Sequence, residues 1–281
     1  MKKLITLILA TTLAISLIGC GKTSPTDLTQ KQSSTQHPDA SNDLQKKTEL
    51  IIGLDDQFPP MGFRDDNNNI VGFDIDLANE VAKRLDMKAV PTPIEWSTKE
   101  LELNSGKVDV LWNGMTITAD RQKEMLMSPA YIKNAQAIVV KSNSEIQQIS
   151  DLEGKKVAYQ EGSSAVDAYE KSGIKGKEKE IITASENITL LQDLKIGRID
   201  AVIIDRVVAD YYIATNAKTD LIVLDVVLAD EEYGFGFKKD NTELADKVFN
   251  AMQEMVDDGT AKRISEKWFG EDRIVFEYNK K

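Results

Sequence analysis

Cysteine and histidine are almost absent from this chain: among 281 residues the sequence has one of each, Cys20 and His37. A single cysteine cannot close a disulfide within the chain, so the fold must be held together by its hydrophobic core. Because histidine does not recur either, the sequence offers no His and Cys cluster at metal-ligand spacing and no Ser–His or Cys–His pair. These absences exclude the commonest metalloenzyme and hydrolase designs, and we predict no metal, no cofactor and no enzyme activity.

Long runs of basic residues are also missing. The formal net charge is −11 at pH 7, and it becomes more negative if Lys2 and Lys3 are removed with a leader. The lysine-rich stretches, such as KGKEKE at 175–180, are short and interrupted by acids. A protein that binds DNA or RNA needs a basic surface. We therefore expect no nucleic-acid partner.

The N-terminus reads as a lipoprotein signal. A basic start, Met1-Lys2-Lys3, precedes an apolar run that ends in Leu17-Ile18-Gly19-Cys20, and such a run is too short to span a bilayer. We predict that residues 1–19 are a signal peptide and that Cys20 carries a diacylglycerol and an N-terminal acyl chain such as palmitate. Two lipid signals suffice for stable anchoring. The protein is then expected on the extracytoplasmic face of the cell membrane. The alternative is an ordinary signal peptide followed by a chance cysteine.

Residues 20–47 are predicted to be a tether. After Cys20 they are rich in Ser, Thr, Gln, Asp and Lys and have almost no apolar residues. Such a composition buries too little surface to offset chain entropy. We expect this segment to be a flexible spacer, with the globular part starting near residue 48.

Beyond the tether, strand and helix patterns alternate. The apolar run LIIGL (50–54) suits a buried strand, and FDIDLANEVAKRL (73–85) repeats apolar residues at helical spacing. Further segments are predicted as strands at 107–113, 155–160 and 198–204, and as helices at 186–197 and within 244–268. The alternation predicts an α/β protein.

Two segments share one pattern. GKVDVL at 106–111 and GRIDAV at 197–202 both run from a helix-ending glycine through a cation, a β-branched residue and an aspartate into an apolar strand. The echo predicts two similar lobes, although chance recurrence of a common helix–Gly–strand pattern is the alternative. Ligands of open α/β sheets bind outside the carboxyl ends of the strands. We therefore expect a cleft near Asn113 to Thr116 and near Asp205.

Arg121 is locally out of place. It lies in the first turn of a helix predicted to begin near Thr118, where the positive end of the helix dipole disfavours a cation. A guanidinium clamp on a carboxylate would compensate, whereas the alternative is a surface pair with Glu124. Ser163 and Ser164 stand at another predicted helix start, where backbone N–H groups bind the same anion or the side chains merely cap the helix.

Asp205 has the opposite charge in the corresponding place. It follows the apolar strand AVII and precedes a helical stretch, so it is either a helix cap or a carboxylate that binds an ammonium group. Arg121 from one lobe and Asp205 from the other would complement a zwitterion. An amino acid is the smallest molecule that satisfies both.

Several longer motifs carry a resemblance to a known family. They are LDDQFPPMGF, IVGFDIDLANEVAKRL, WNGMTITADRQKEM, DLEGKKVAYQEGSS, GRIDAVIID and DGTAKRISEKWFG. In this order, over about 48–270, they resemble the polar amino-acid substrate-binding proteins of bacterial ABC importers, solute-binding protein family 3. The resemblance implies a two-lobed periplasmic-binding-protein fold of type II. Lobe 1 would comprise 48–136 plus 232–281 and lobe 2 would comprise 137–231, joined by two crossing strands near 134–139 and 230–235.

The resemblance also implies roles for individual residues. Arg121 matches the arginine that binds the ligand α-carboxylate, and Asp205 matches the aspartate that binds the α-ammonium. Phe58 and Trp96 match aromatic walls, with burial in the core as their alternative. The remaining candidate ligand contacts are Asp55, Asn113, Gly114, Thr116, Gln160, Ser163 and Ser164.

The bound amino acid is less well defined. Asp55, with Glu161 and the aromatic faces, would suit a cationic side chain, which favours arginine or lysine. Gly114 and Ala165 depart from the pattern of basic-amino-acid binders, so glutamine and cystine stay open. We expect a monomeric binding protein whose partners are an ABC permease and its ATPase. The alternatives are a sensor module or an extracellular dehydratase, for which Glu161 would be the general acid or base.

Overall fold

The structure, a computed structural model, describes residues 47–216 and 218–279. The predictions for the signal peptide, for Cys20 and for nearly all of the tether lie outside these residues. Within this described part, none of the helices is both long enough and apolar enough to cross a membrane.

Strands and helices alternate along most of the described chain. The strands are β1 (Glu49–Leu54), β2 (Gln57–Phe58), β3 (Gly62–Arg64), β4 (Ile70–Val71), β5 (Lys88–Pro93), β6 (Val110–Thr116), β7 (Met125–Met127), β8 (Ile132–Lys141), β9 (Lys156–Gln160), β10 (Glu180–Ala184), β11 (Ala201–Asp205) and β12 (Leu221–Lys238). The α-helices are α1 (Phe73–Arg84), α2 (Lys99–Asn104), α3 (Ala119–Glu124), α4 (Ala165–Lys171), α5 (Asn187–Lys195), α6 (Arg206–Thr215), α7 (Thr242–Asp257) and α8 (Thr260–Phe269). The predicted α/β class is confirmed.

One large sheet runs through the molecule in the order β10-β9-β11-β8-β12-β6-β1-β5, with β7 added beside β12. Its first half consists of β5, β1, β6 and β12, and its second half of β10, β9, β11 and β8. In each half three strands are parallel and the fourth, β12 or β8, is antiparallel to its neighbour. The antiparallel pair β8 and β12 connects the two halves.

The two segments that share a sequence pattern also share a hydrogen bond. The carboxylate of Asp109 accepts the N–H of Ile51 at 2.8 Å, and the carboxylate of Asp200 accepts the N–H of Lys156 at 2.8 Å. Both aspartates stand just before the inner parallel strand of their half, β6 or β11, and tie it to β1 or β9. Because the same bond fixes each strand against its neighbour, the carboxyl ends of β6 and β11 take equivalent positions in the two halves of the sheet. The lobe boundaries remain a prediction.

Two predicted strand starts are wrong by three residues. The strands expected from 107 and 198 begin at Val110 and Ala201. The reason is that the residues after each glycine still belong to the helix end: the N–H of Lys107 donates to Glu102 and that of Arg198 to Asp193.

Other elements follow the sequence pattern with small changes. Helix α1 buries the apolar residues predicted for it, including Leu77 and Val81. The helical stretch 244–268 is two helices, α7 and α8, because Gly259 takes a left-handed conformation with φ 76° between them. Behind β6, the rings of Trp112 and Phe235 stack with centroids 4.1 Å apart and form part of the main core.

Candidate functional site

A small cavity, of about 10 Å³, lies where the ends of several strands meet. We call it the central cavity. Its lining residues are Asp55, Phe58, Trp96, Asn113, Gly114, Thr116, Arg121, Gln160, Ser163, Ser164 and Asp205. These are the eleven residues predicted from the sequence as ligand contacts. The structure brings all of them together, and their contact with a ligand stays a prediction.

Arg121 reaches the cavity from helix α3, which begins where the sequence predicts. The hydroxyl of Thr118 caps the helix by accepting the N–H of Arg121 at 3.1 Å. The guanidinium donates to the carbonyl oxygen of Thr116 at 2.8 Å and to that of Gly162 at 3.3 Å. Only 9% of the residue is exposed, and burial lowers the pKa of the guanidinium below its usual value.

No carboxylate of the described chain lies within ion-pair distance of the Arg121 guanidinium; the surface pair with Glu124 is not formed. Two carbonyl oxygens supply partial negative charge but no counter-ion. A buried cation in this situation is costly unless a charged partner arrives. An anion in the central cavity would neutralise this buried charge.

Asp205 closes strand β11 and is 4% exposed. Its Oδ1 accepts hydrogen bonds from the hydroxyl of Tyr233 at 2.7 Å and from Nδ2 of Asn134 at 2.7 Å. Although it stands at the start of helix α6, its side chain makes no capping hydrogen bond, so the helix-cap alternative is wrong. Burial, and then the negative charge of Glu231, raise the pKa of Asp205 to about 7.

Asp55 lies at a third point of the wall, directly after strand β1. Its Oδ2 accepts from Nε2 of Gln160 at 2.7 Å, and the orientation of that amide is fixed because its Oε1 accepts from Asn187 at 2.9 Å. The N–H of Asp55 donates to Oδ1 of Asn113 at 3.0 Å. Burial raises the pKa of Asp55 to about 6. The carboxyl group can therefore accept hydrogen bonds from a cationic or amide side chain near neutral pH.

Direct hydrogen bonds join the two halves of the sheet around the cavity. Besides Asp55 and Gln160, the hydroxyls of Thr116 and Ser164 lie 3.0 Å apart. Ser164 makes no capping bond at the start of α4, and the Ser163 hydroxyl donates to the carbonyl of Gln160 at 2.8 Å. The cavity walls thus touch each other, which is the arrangement expected of a closed cleft.

The aromatic walls and Gly114 fit together closely. Phe58 and Trp96 are 5% and 6% exposed, so each belongs to a hydrophobic cluster and to the cavity wall at once. Gly114 has φ 56°, and a Cβ there would lie 2.8 Å from Cε1 of Phe58. Position 114 requires glycine because a side chain would be strained and would displace the Phe58 ring.

Several polar residues near the cavity escaped the sequence patterns. Fully buried Asp74 accepts the N–H of Gly114 at 2.7 Å and the hydroxyl of Tyr131 at 2.9 Å, and burial raises its pKa to about 7. Lys99 donates to the carbonyl of Gly162 at 2.9 Å, and burial lowers its pKa to about 8.

Three more, Asn134, Gln136 and Glu231, lie on β8 and β12 beside Asp205 and Thr116. The usable signal for the first two is the pattern N-A-Q at 134–136, since polar residues alternate there at the start of an otherwise apolar strand.

The prediction for Glu161 is not supported. Glu161 is exposed and does not line the central cavity; its Oε1 accepts from the hydroxyl of Thr183 at 2.7 Å. It follows Gln160, and alternate residues of an extended segment point in opposite directions. Asp56 pairs with Arg64 at the surface at 2.5 Å.

Comparison with known proteins gives consistent matches. The family model of the bacterial extracellular solute-binding proteins, family 3, matches residues 50–271. The chain is 34% identical to the L-cystine-binding protein TcyJ of Escherichia coli, with 82% of this chain and 86% of the relative covered. It is 30% identical to the arginine-binding extracellular protein ArtP of Bacillus subtilis, with 96% and 98% covered.

A solved structure has the same architecture. It is an ABC uptake transporter substrate-binding protein from Streptococcus pneumoniae with bound histidine, similar with a TM-score of 0.77 and 36% identity, with 81% of this chain and 94% of that chain covered. The predicted periplasmic-binding-protein type of fold is thereby confirmed.

Proposed function

Because this chain belongs to the bacterial extracellular solute-binding proteins of family 3, we propose that it is the substrate-binding lipoprotein of an amino-acid ABC importer. It closes around a zwitterionic polar amino acid and delivers it to the permease, whose ATPase drives uptake. The relatives named for cystine and arginine, and the similar structure with bound histidine, support an amino acid as the ligand class.

One observation carries the proposal. The guanidinium of Arg121 and the carboxylate of Asp205 both line the central cavity, both are buried, and neither has an ion-pair partner in the described part of the chain. A free amino acid brings the two missing charges. Its α-carboxylate pairs with Arg121 in the bidentate geometry that guanidinium groups favour, and its α-ammonium pairs with Asp205.

The ligand side chain extends towards Asp55. A carboxylate beside the faces of Phe58 and Trp96 favours a cationic group, so basic amino acids rank first. Glutamine and cystine remain alternatives because Gly114 leaves no side chain at a position that bounds the cavity.

Closure of the cleft is the signal to the permease. In this proposal the lobes 48–136 plus 232–281 and 137–231 rotate about β8 and β12, and the ligand stabilises the closed state through contacts it makes only there. The hydrogen bonds between Asp55 and Gln160 and between Thr116 and Ser164 support the proposal that the closed state brings the two walls into contact.

Membrane attachment through Cys20 completes the proposal. The sequence around Cys20 supports it, because a cleaved and lipidated cysteine would place the binding unit at the membrane where the permease lies. Mass spectrometry of the protein extracted from membranes tests this part. A mature chain starting at Cys20 with added acyl mass is expected, whereas a chain starting elsewhere without lipid would contradict it.

A dehydratase of similar fold would need an acid or base at the ligand. The residue proposed for that role, Glu161, is exposed and bonds to Thr183. The position of Glu161 therefore removes this residue as the acid or base.

A thermal-shift screen of the purified protein against the twenty amino acids plus cystine and ornithine tests the function. We expect one or a few polar amino acids to raise the melting temperature, with calorimetry then giving one site per chain. As a control for enzyme activity, each amino acid that binds is incubated overnight with the protein and the solution is analysed for reaction products. Absence of any shift and any heat of binding would refute the proposal.

A further inference from the structure

Glu231 on strand β12 makes an unusual set of contacts. Its Oε2 accepts hydrogen bonds from the hydroxyl of Thr116 at 3.0 Å, from Nδ2 of Asn134 at 2.9 Å and from Nε2 of Gln136 at 3.0 Å. It makes no ion pair within the described residues. Its carboxylate does not line the central cavity, so it acts on the site through these neighbours.

The carboxylate of Glu231 lies close to that of Asp205. The same Nδ2 of Asn134 donates to Oδ1 of Asp205 at 2.7 Å and to Oε2 of Glu231 at 2.9 Å. Because one nitrogen donates to both oxygens, Oδ1 of Asp205 and Oε2 of Glu231 can be no farther apart than the sum of these two hydrogen-bond lengths. Two like charges at that distance repel each other, and a cation between or beside them relieves the repulsion.

Glu231 also fixes the direction of a hydrogen-bond chain. An ionised carboxylate only accepts, so the single proton of the Thr116 hydroxyl must point to Glu231. The Ser164 hydroxyl, which accepts from Nε2 of Gln136 at 3.1 Å, must then donate to Thr116. The oxygen of Thr116 is left with acceptor character at the wall of the central cavity. An acceptor is what an ammonium group requires.

We propose that Glu231 is a positioning residue for the ammonium end of the ligand: it adds a second negative charge beside Asp205 and turns Thr116 into a hydrogen-bond acceptor. This inference rests on the proposed binding of a zwitterion in the central cavity. The ligand class it specifies is a compound with a protonated amine next to its carboxylate. Derivatives in which that amine is uncharged are excluded.

The charged and titratable groups around Asp205 define the pH behaviour. Glu231 and Tyr233 face it from β12, Tyr131 approaches from before β8, and Arg121 contributes from α3. The pKa of both tyrosines is raised well above 10 by burial, so they stay neutral near pH 7. Glu231 is then the group whose removal lowers the pKa of Asp205.

The test is Glu231→Gln, compared with the matched control Glu232→Gln. Glu232 is the exposed neighbour on the same strand and loses the same charge. The probe is whichever of L-arginine, L-lysine, L-glutamine and L-cystine binds the wild type best, measured by calorimetry from pH 8 to pH 5.5. At pH 8 we expect Glu231→Gln to weaken binding by about 10-fold to 100-fold, the scale of a lost hydrogen bond to a charged group. The control should bind as the wild type does.

The pH profile separates this role from a merely structural one. Wild-type affinity should fall as the pH drops below about 7, where Asp205 takes up a proton. In Glu231→Gln the fall should begin at lower pH, so the ratio of the two affinities shrinks on acidification. An equal loss at every pH, or unchanged binding, overturns the inference. If the wild type binds none of the probes, the proposed function fails instead.

A second variant covers failure of Glu231→Gln to fold, which the melting temperature of the ligand-free protein reveals. Thr116→Val removes the hydroxyl that Glu231 orients and keeps the shape of the side chain. It should weaken binding at pH 8 by about the same factor. When Glu231→Gln folds, adding it to Thr116→Val should cost less than Glu231→Gln alone. Full additivity of the two changes, or unaltered binding by Thr116→Val, contradicts the hydrogen-bond chain.

Discussion

The strands β6 and β11 are held in the sheet in the same way but carry different residues at their carboxyl ends. Each is preceded by an aspartate, Asp109 or Asp200, whose carboxylate holds the N–H of the neighbouring parallel strand at the same distance. By the strand register, Val110 corresponds to Ala201 and Gly114 to Asp205. The first half carries no side chain at the position where the second half carries a negative charge.

The difference shows how a repeated frame makes an asymmetric site. In the first half the charge comes later, from Arg121 on helix α3, and has the opposite sign. The repeated strand arrangement places the ends of β6 and β11 at one cavity. The residues at and beyond those ends then determine which charges face the cavity. In the proposed function a dipolar ligand contacts both charged groups at once, and neither half alone provides both of them.

Removing the cation of the first half, Arg121, is expected to have the largest effect on binding. Arg121→Ala should weaken binding of the best amino acid by about 2–5 kcal/mol, or about 30-fold to several thousand-fold, because the ligand carboxylate is left buried and unpaired. Isothermal calorimetry measures the change. The matched control is Arg198→Ala, the exposed cation of the second half, which pairs with Asp193 at the surface. Equal affinities of Arg121→Ala and the wild type would remove Arg121 from the site.

Removing the anion is expected to have the next largest effect. Asp205→Asn keeps an oxygen that accepts from Tyr233 and Asn134, so the protein should fold, but it loses the charge that pairs with the ammonium group. We expect about 100-fold weaker binding at pH 8 and a smaller fall in affinity from pH 8 to pH 5.5 than in the wild type, with the remaining fall coming from Asp55, whose pKa is about 6. A fall as large as that of the wild type, beginning at pH 7, would assign that titration to another group.

The pH dependence of the free energy of unfolding tests the three buried acids together. Asp55, Asp74 and Asp205 have pKa values raised to about 6, 7 and 7. Between their unfolded pKa and these values the folded state binds more protons than the unfolded state, so stability falls as pH rises. The slope is at most about 1.4 kcal/mol per pH unit for each group.

Thermal melts of the ligand-free protein should therefore show a higher melting temperature at pH 5.5 than at pH 8. Asp205→Asn should reduce this difference, because one of the three carboxyls no longer titrates. A melting temperature that rises from pH 5.5 to pH 8 would contradict the assignment of these groups as buried acids.

The smallest expected effect concerns contact between the halves. At Gly162, φ is 68° and a Cβ would lie 2.8 Å from Cα of Ser97 across the cleft, whereas Gly176 has φ 81° and open space. Gly162→Ala and Gly176→Ala carry the same backbone strain, so their difference isolates the clash. We expect Gly162→Ala to bind about fivefold more weakly than Gly176→Ala, since the clash opposes closure. Calorimetry giving identical affinities would show that this contact does not limit closure.

Local sequence signals were sufficient for much of the fold and the cavity. Thr118 marks the start of α3, and the glycines at 106 and 197 mark helix ends. The eleven cavity residues cluster because strand ends meet at one place, which the alternation of elements implies. The resemblance to the family supplied residues such as Phe58 and Gln160, for which no local pattern exists.

Residues that depend on long-range pairing could not be found in this way. Glu231 reaches Thr116 and Gln136 across 115 and 95 residues of sequence, and this contact follows from the register of β12 against β6 and β8. Strand starts were wrong where a helix end continues into the turn, at Lys107 and Arg198. The prediction for Glu161 was not supported because consecutive side chains of an extended segment point in opposite directions, so the residue after Gln160 points away from the cavity.

The proposed function requires that the two halves hold opposite ends of one zwitterion. It is tested most directly by calorimetry of the best-binding amino acid beside its α-amide and its N-acetyl derivative. The first derivative lacks the carboxylate that Arg121 would bind and the second lacks the ammonium group that Asp205 would bind. We predict that each binds roughly 100-fold or more weakly than the parent. Binding of either derivative with the affinity of the parent would contradict the account.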